Sequence, residues 1–397
     1  MLKSRIYLDY ASLTPIDPRV TREMKKCSSS KYANPSSLYK EGVAAKKALS
    51  EGRKKVADYI NSHPDEIIFT AGGTEANNLV MRGVARSAVR AGIIAPHIII
   101  SEIEHSSIIE TTNELEKHGC EITRLTVDKN GVISLDELKK SIRPNTVLIS
   151  IMMVNNEIGS VQPIKEIAKI VRNARKVSEA ILKINAYPLF HTDAAQALYE
   201  EINMDNLGVD LLTLDGGKVY GPRGIGALYI KREVMENKWI EAVFSGGGQE
   251  KGLRPGTENL PGIMGFAKAL ELVSMETGKQ GKKEKISEFR KVFIEGLIKI
   301  CPDIIINGNL NSCPAQSPHI LNISIPGIDN EFFLFQLDAK GIACSTKSSC
   351  LRDEEESYVL KSIGADSKTS LRFSFGRFTK MSDLKKTLRI ISKLLGK

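Results

Sequence analysis

The chain has 397 residues and a formal net charge of +9, too long for one ordinary core, so two domains are expected. Its lysines are spread over helical segments such as 279–291 and 380–397 with no interleaved aromatics, the pattern of a solvated surface rather than of direct nucleic-acid binding. The six cysteines are scattered with no C-x-x-C pair, which argues against a disulfide scaffold or a zinc site and for a reducing compartment.

At the start, Lys3, Arg5 and Asp9 leave no apolar core for an export signal, and no later apolar run approaches the roughly 20 residues of a membrane span. A cytoplasmic chain without membrane contact is therefore expected. Residues 7–15, YLDYASLTP, read as an arm ending in turn formers. Asn34-Pro35-Ser36-Ser37 carries the capping residues and early proline of a helix start, and Leu38, Val43, Leu49, Val56 and Ile60 continue at helical spacing through Tyr59.

A regular alternation follows. Strands are expected at 66–70, 98–101, 123–127, 147–152, 189–192 and 211–214, and helices from about 75 to 90, from 105 to 117 and from 164 to 180. Such alternation implies a mostly parallel sheet covered on both faces. In sheets of this kind ligands bind beyond the carboxyl ends of the strands. Gly73-Thr74, His105, Asn156, Asp193 and Lys218 each come just after an apolar run, so they converge on one edge. Lys218 lies in LLTLDGGKVYGPRGIG, on a glycine-flanked turn between two apolar runs, where a partly desolvated amine suits Schiff-base chemistry.

Beyond residue 242, FSGGGQEKGLRPGTEN reads as a polar loop beside a phosphate or a subunit interface. Helices at 259–278, 284–300, 329–340 and 382–395 and strands at 320–325 and 371–375 build a smaller C-terminal α+β domain. The boundaries expected are 15–260 for the large domain, with 1–14 and 261–397 forming the small one.

A lysine, an aspartate for a pyridinium nitrogen, a Gly-Thr at a helix N-terminus for a phosphate and a histidine to stack on a ring are what a pyridoxal-phosphate enzyme needs. The motifs YLDYASLTPIDPRV, FTAGGTEANNL, SEIEHSSI, SIMMVNNEIG, HTDAAQ, KVYGPRGIGALY, GGGQEKGLRPGTEN and RFSFGRFT, in this order, resemble the cysteine desulfurases of iron–sulfur cluster assembly, in the class V aminotransferase-like group of fold type I.

The resemblance implies a pyridoxal 5'-phosphate cofactor on Lys218, with Asp193 at the pyridinium nitrogen, Gln196 at the ring hydroxyl and His105 as stacking residue and proton shuttle. It implies Gly73 and Thr74 on the phosphate, with Thr257 reaching in from the second subunit of a homodimer, and Asn156 with Arg372 on the substrate carboxylate. It places the sulfur-accepting nucleophile at Cys350, in the polar segment STKSSCLRDEEES, with Cys344 in the preceding strand. The implied reaction converts L-cysteine to L-alanine and leaves a persulfide, whose sulfur passes to a cluster scaffold or a tRNA-thiolation protein. A selenocysteine lyase or other lyase or transaminase, and a catalytically impaired sulfur-transfer scaffold, are the other readings of the same motifs.

Three places depart from the family pattern. Asp215 and Gly217 stand where a serine and a histidine usually serve the phosphate, which predicts weaker cofactor affinity or a rearranged phosphate site. Lys347 replaces a loop glycine, and 176–189 is longer than usual.

Overall fold

In a computed structural model of the protein, residues 5–182, 187–277, 281–308, 316–346 and 356–397 are described. The N-terminal part runs β1 (Ile6–Tyr7), α1 (Pro18–Ser30), α2 (Lys40–Ile60), β2 (Ile67–Thr70), α3 (Gly73–Arg90), β3 (His97–Ser101), α4 (Ser106–Lys117) and β4 (Glu121–Leu125). The middle adds α5 (Leu135–Ser141), β5 (Thr146–Ser150), α6 (Ile164–Leu182), β6 (Leu189–Asp193), α7 (Met204–Leu207), β7 (Leu211–Asp215), β8 (Gly226–Ile230) and α8 (Arg232–Glu236). The remainder runs α9 (Leu260–Thr277), α10 (Gly281–Ile300), β9 (Ile305–Asn307), β10 (Ile320–Ser324), α11 (Asn330–Ala339), β11 (Ile342–Ala343), α12 (Tyr358–Ser362), β12 (Ser370–Ser374) and α13 (Met381–Leu394).

The central sheet has seven strands in the order β2-β8-β7-β6-β5-β3-β4, and β8 alone runs antiparallel to its neighbours. Successive side chains on a strand point to opposite faces, so a strand covered on both sides must be apolar throughout. The core divides accordingly. Ile99, Ile149, Leu212, Leu214 and Ala227 join one cluster with α2 and α9. Ile98, Ile100, Leu148, Leu211 and Leu228 join the other, with Leu79, Val80 and Val84 of α3.

A third cluster unites α10, α11 and α13 with the antiparallel sheet β12-β10-β9. The N-terminal arm belongs to this layer: β1 pairs in parallel with β11, and Ile6 and Leu8 pack in the same cluster. From there residues 9–17 cross to the central sheet. Thr14 donates its N–H and its hydroxyl to Gly217 O at 2.9 and 2.8 Å, and Asp17 N–H reaches Tyr220 O at 3.0 Å.

Two local expectations change. Asn34 does not cap a helix: its Oδ1 accepts the Ser36 N–H at 2.9 Å and closes a turn, and α2 starts only at Lys40. Helix α1 follows the arm in a stretch where the sequence reading places no element, with only Val20 and Cys27 of its side chains buried.

Candidate active site

The carboxyl ends of the strands, the start of α3 and the N-terminal arm enclose a cavity of about 200 Å³. Gly73, Thr74, His105, Asn156, Asp193, Gln196, Lys218 and Arg372 all line it, together with Ala11, Ser12, Asn77 and Asp215. Gly73, Thr74, His105, Asn156, Asp193 and Lys218 therefore meet as the strand-edge argument expects, and Gln196 and Arg372 join them.

Lys218 sits at the end of a short 3-10 turn, Gly216–Lys218, that follows β7. The turn is tight because backbone passes where side chains would be: a Cβ on Gly216 would lie 2.8 Å from Pro222 O. Lys218 Nζ donates to Ser12 O at 2.5 Å and Ala11 O at 3.1 Å, so the arm fixes the amine over the cavity. Gln196 Nε2 also donates to Ala11 O, at 2.7 Å.

Asp193, at the end of β6 and only 6% exposed, keeps its carboxylate aimed by two donors: Ala195 N–H at 2.9 Å and Asn77 Nδ2 at 2.8 Å. The Asn77 amide also donates to Ser107 Oγ at 2.9 Å, and Ser107 Oγ lies 2.8 Å from His105 Nδ1. Ser107 N–H points at the same ring nitrogen at 3.2 Å. A backbone N–H can only donate, so Nδ1 is an acceptor and the neutral imidazole carries its proton on Nε2. His105, Ser107, Asn77 and Asp193 thus form one chain of hydrogen bonds. The sequence points to His105 and Asp193 but not to Asn77 and Ser107, which join them. The one signal was a polar residue, Asn77, on the buried stripe of α3 beside Ala76, Val80 and Val84.

Behind this chain Glu104 is fully buried. Loss of hydration pushes its carboxyl up to about 8, against the opposing hydrogen bonds from Ser101 Oγ and Met152 N–H. Glu104 is therefore largely protonated at neutral pH.

Arg372, on β12 and 1% exposed, donates Nη1 to Asn156 O at 2.8 Å, and Nη2 to Ser12 Oγ at 2.7 Å and Asp9 Oδ1 at 3.0 Å. Its Nε has no partner. Cys344 follows β11 rather than lying within it, is half-buried, and has its thiol pushed up by burial, with Asp9 adding to the rise and Arg372 opposing it. It is a protonated thiol, unsuited to nucleophilic attack. Cys350 and Lys347 lie outside the described residues, as does part of 176–189. Thr257 is exposed and does not line the cavity. Its loop is anchored by Glu250, which pairs with Arg53 and accepts the Phe69 N–H at 2.8 Å.

The donor set fits pyridoxal phosphate at its ring end: an amine, a buried carboxylate already supported by two donors, an imidazole and an amide. The phosphate end differs from expectation. Gly73 N–H, the first amide of α3, donates to Asp215 Oδ2 at 2.8 Å. Among the described residues no cluster of His, Cys, Asp and Glu could hold a metal, and no helix is long and apolar enough to cross a membrane.

The chain is similar to known proteins over nearly its whole length. The family model described as "Aminotransferase class-V" matches residues 6–387. The cysteine desulfurase IscS of Dictyoglomus turgidum is 39% identical, over 100% of this chain and 96% of its own. The mitosomal cysteine desulfurase of Trachipleistophora hominis is 40% identical, over 97% of this chain and 85% of its own. Among solved structures, a NifS-like protein superposes with a TM-score of 0.88 at 30% identity, covering 99% of this chain and 100% of that one. SspA in complex with cysteine gives 0.76 at 33% identity, covering 94% and 99%.

Proposed function

The chain belongs to the class V aminotransferase family, as a cysteine desulfurase, and on that premise we propose how its residues divide the work. The enzyme converts L-cysteine to L-alanine and passes the sulfur to one of its own cysteines as a persulfide, for iron–sulfur cluster assembly. When bound, pyridoxal 5'-phosphate supplies an electron sink next to the amino acid's α-carbon.

Lys218 carries the cofactor and, once released, takes the α-proton on Nζ; the Ala11 and Ser12 carbonyls hold that nitrogen in place. Asp193 keeps a proton on the ring nitrogen, and Asn77 holds Asp193 there. His105 stacks on the ring with its proton on Nε2 and moves protons at the reacting carbon, while Gln196 donates to the ring hydroxyl. Gly73 and Thr74, with Thr257 of the partner subunit, form the phosphate end. Arg372 and Asn156 hold the substrate carboxylate, a task that suits a planar guanidinium. The Cys350 thiolate attacks the substrate sulfur; the S–S bond forms as the Cβ–S bond breaks, and its electron pair stays with carbon, which is protonated as alanine forms.

The observation that carries these roles is the meeting of Lys218, Asp193, His105 and Arg372 in one cavity. The thiol of Cys344, pushed up by burial, is a poor nucleophile, which supports Cys350 in that role. Exposed Leu38, Tyr39, Val43 and Phe244 support a homodimer, which the role of Thr257 requires. Sulfur-acceptor proteins, either a cluster scaffold or tRNA-thiolation proteins, are the further partners, and the scattered cysteines support a cytoplasmic location.

The test compares wild type with Cys350→Ala and Lys218→Ala. Cys350→Ala keeps the visible absorption band of the bound cofactor and loses alanine formation from cysteine. Lys218→Ala loses both. Turnover indifferent to Cys350 would instead mark another lyase.

A further inference from the structure

Asp215 ends β7 with its carboxylate spread between two separate segments. Oδ2 accepts the Gly73 N–H and Oδ1 the Gly217 N–H, each at 2.8 Å. Gly73 opens α3, a helix of 18 residues whose N-cap, Gly72, has no side chain to offer. The exposed amides of such a helix carry roughly half a positive charge and attract an anion. Here a side chain of the chain itself supplies that anion, inside the cavity that receives the cofactor.

The surroundings are shaped to the carboxylate. A Cβ on Gly217 would stand 3.2 Å from Asp215 Oδ1 and 3.0 Å from Leu13 Cδ1, so any larger side chain at 217 would crowd the carboxylate. A Cβ on Gly72, where φ is +147°, would stand 3.2 Å from Oδ2. Among the described residues no cation pairs with Asp215: in the adjacent groove Arg254 pairs with Glu75 and Arg82 with Glu114. Asp215 and Gly217 are thus two parts of one arrangement.

We propose that Asp215 is a built-in occupant of the phosphate position, so that the phosphate of pyridoxal 5'-phosphate adds little to affinity and the enzyme holds its cofactor by the ring end. A phosphate arriving at α3 either displaces the carboxylate from Gly73 or sits beside a like charge, and both routes cancel most of what the helix N-terminus offers. The chain consequently discriminates weakly between pyridoxal 5'-phosphate and pyridoxal, and exchanges the cofactor readily. This rests on the cofactor reading above.

The experiment titrates full-length wild type, Asp215→Asn and Asp215→Ser, each freed of cofactor by dialysis, with pyridoxal 5'-phosphate and with pyridoxal. Dissociation constants come from equilibrium dialysis, and thermal melts verify that each variant is folded. Asn keeps the shape and removes the charge; Ser removes the occupant. The expected result is a preference for the phosphorylated form that rises about tenfold or more in both variants, the ratio that about 1.4 kcal/mol of recovered interaction gives. A preference that both folded variants leave unchanged overturns the proposal while leaving the cofactor reading intact. If none of the three proteins binds either compound, the cofactor reading falls and takes the proposal with it.

Discussion

Asn77 is the place where geometry makes a counter-intuitive forecast. Its amide gives one N–H to Asp193 Oδ2 at 2.8 Å and the other to Ser107 Oγ at 2.9 Å, while its own Oδ1 is buried without a partner. Truncation in Asn77→Ala removes a hydrogen bond to a charged acceptor, worth about 1.5–3 kcal/mol, and a neutral one worth about 1 kcal/mol. It also removes the orphaned oxygen, which returns about 1–3 kcal/mol of desolvation cost. The net loss of folding stability is therefore small, about 1 kcal/mol. Asn77→Asp keeps the shape and puts an acceptor where Asp193 needs a donor. Two carboxylates about 4 Å apart at an effective dielectric near 20 repel by about 4 kcal/mol. The isosteric change is consequently the more damaging one. Cofactor affinity, measured by titration with pyridoxal 5'-phosphate, falls in the order wild type, Asn77→Ala, Asn77→Asp, with about tenfold or more between the two variants. Melting temperatures follow the same order. If Asn77→Asp binds as tightly as Asn77→Ala, the assignment of Asn77 as donor to Asp193 is wrong.

Glu104 gives a pH signature. Its carboxyl is raised to about 8 by burial, so the folded state holds the proton more tightly than the unfolded one. That contribution is complete below about pH 4.5 and is lost as pH rises through 8. Between pH 5 and 8 the wild-type melting temperature falls relative to that of Glu104→Gln, and parallel curves would refute the shift. Buried His191 and His319, each lowered to about 3, and His97, lowered to about 4, act at the other end. The unfolded chain takes up their protons below about pH 6.5, so thermal melts register lost stability as pH falls from there. Asp9→Asn removes the negative charge that competes with a substrate carboxylate for Arg372 Nη2, while weakening a mostly buried pair. The Michaelis constant for cysteine drops and stability falls by about 2 kcal/mol, less than a fully buried pair because Ser12 and Asn156 still hold the guanidinium; a Michaelis constant that rises would show that Asp9 positions Arg372 rather than competing for it.

The central sheet was legible because its strands other than the edge strand β4 are buried on both faces, which leaves apolar runs such as 98–100 and 211–214. Gly73, Thr74, His105, Asn156, Asp193 and Lys218 were legible because each follows such a run and a parallel sheet gathers its strand ends on one edge, whereas Gln196 and Arg372 emerged only from the family resemblance. Helix α1 was not legible, since it shows the core little beyond Val20 and Cys27 in a sequence otherwise rich in charge and serine. Helices α5, α8 and α12 span 7, 5 and 5 residues, too short for a periodicity to emerge. The supporting polar residues were hidden for another reason. Asn77, Ser107 and Ser12 are small neutral residues near helix starts and turns, where capping is the ordinary explanation. Nothing in a single chain separates a cap from a bridge between two buried polar groups of one cavity.

The N-terminal arm shows why such a bridge has functional weight. It starts in the smaller layer, paired with β11, and its Asp9 and Ser12 hold the Arg372 guanidinium. The backbone of the same stretch holds the opposite partner: the Ala11 and Ser12 carbonyls receive Lys218 Nζ, and Thr14 ties down Gly217. Ser12 contributes to both, through its hydroxyl on one side and its carbonyl on the other. Arg372 and Lys218, proposed to grip the substrate carboxylate and to take its proton, are thus set on the same four residues, 9 to 12, rather than independently on two layers. A shift of the arm moves both together and preserves their spacing. A change in that spacing has to break a hydrogen bond at Ser12 first.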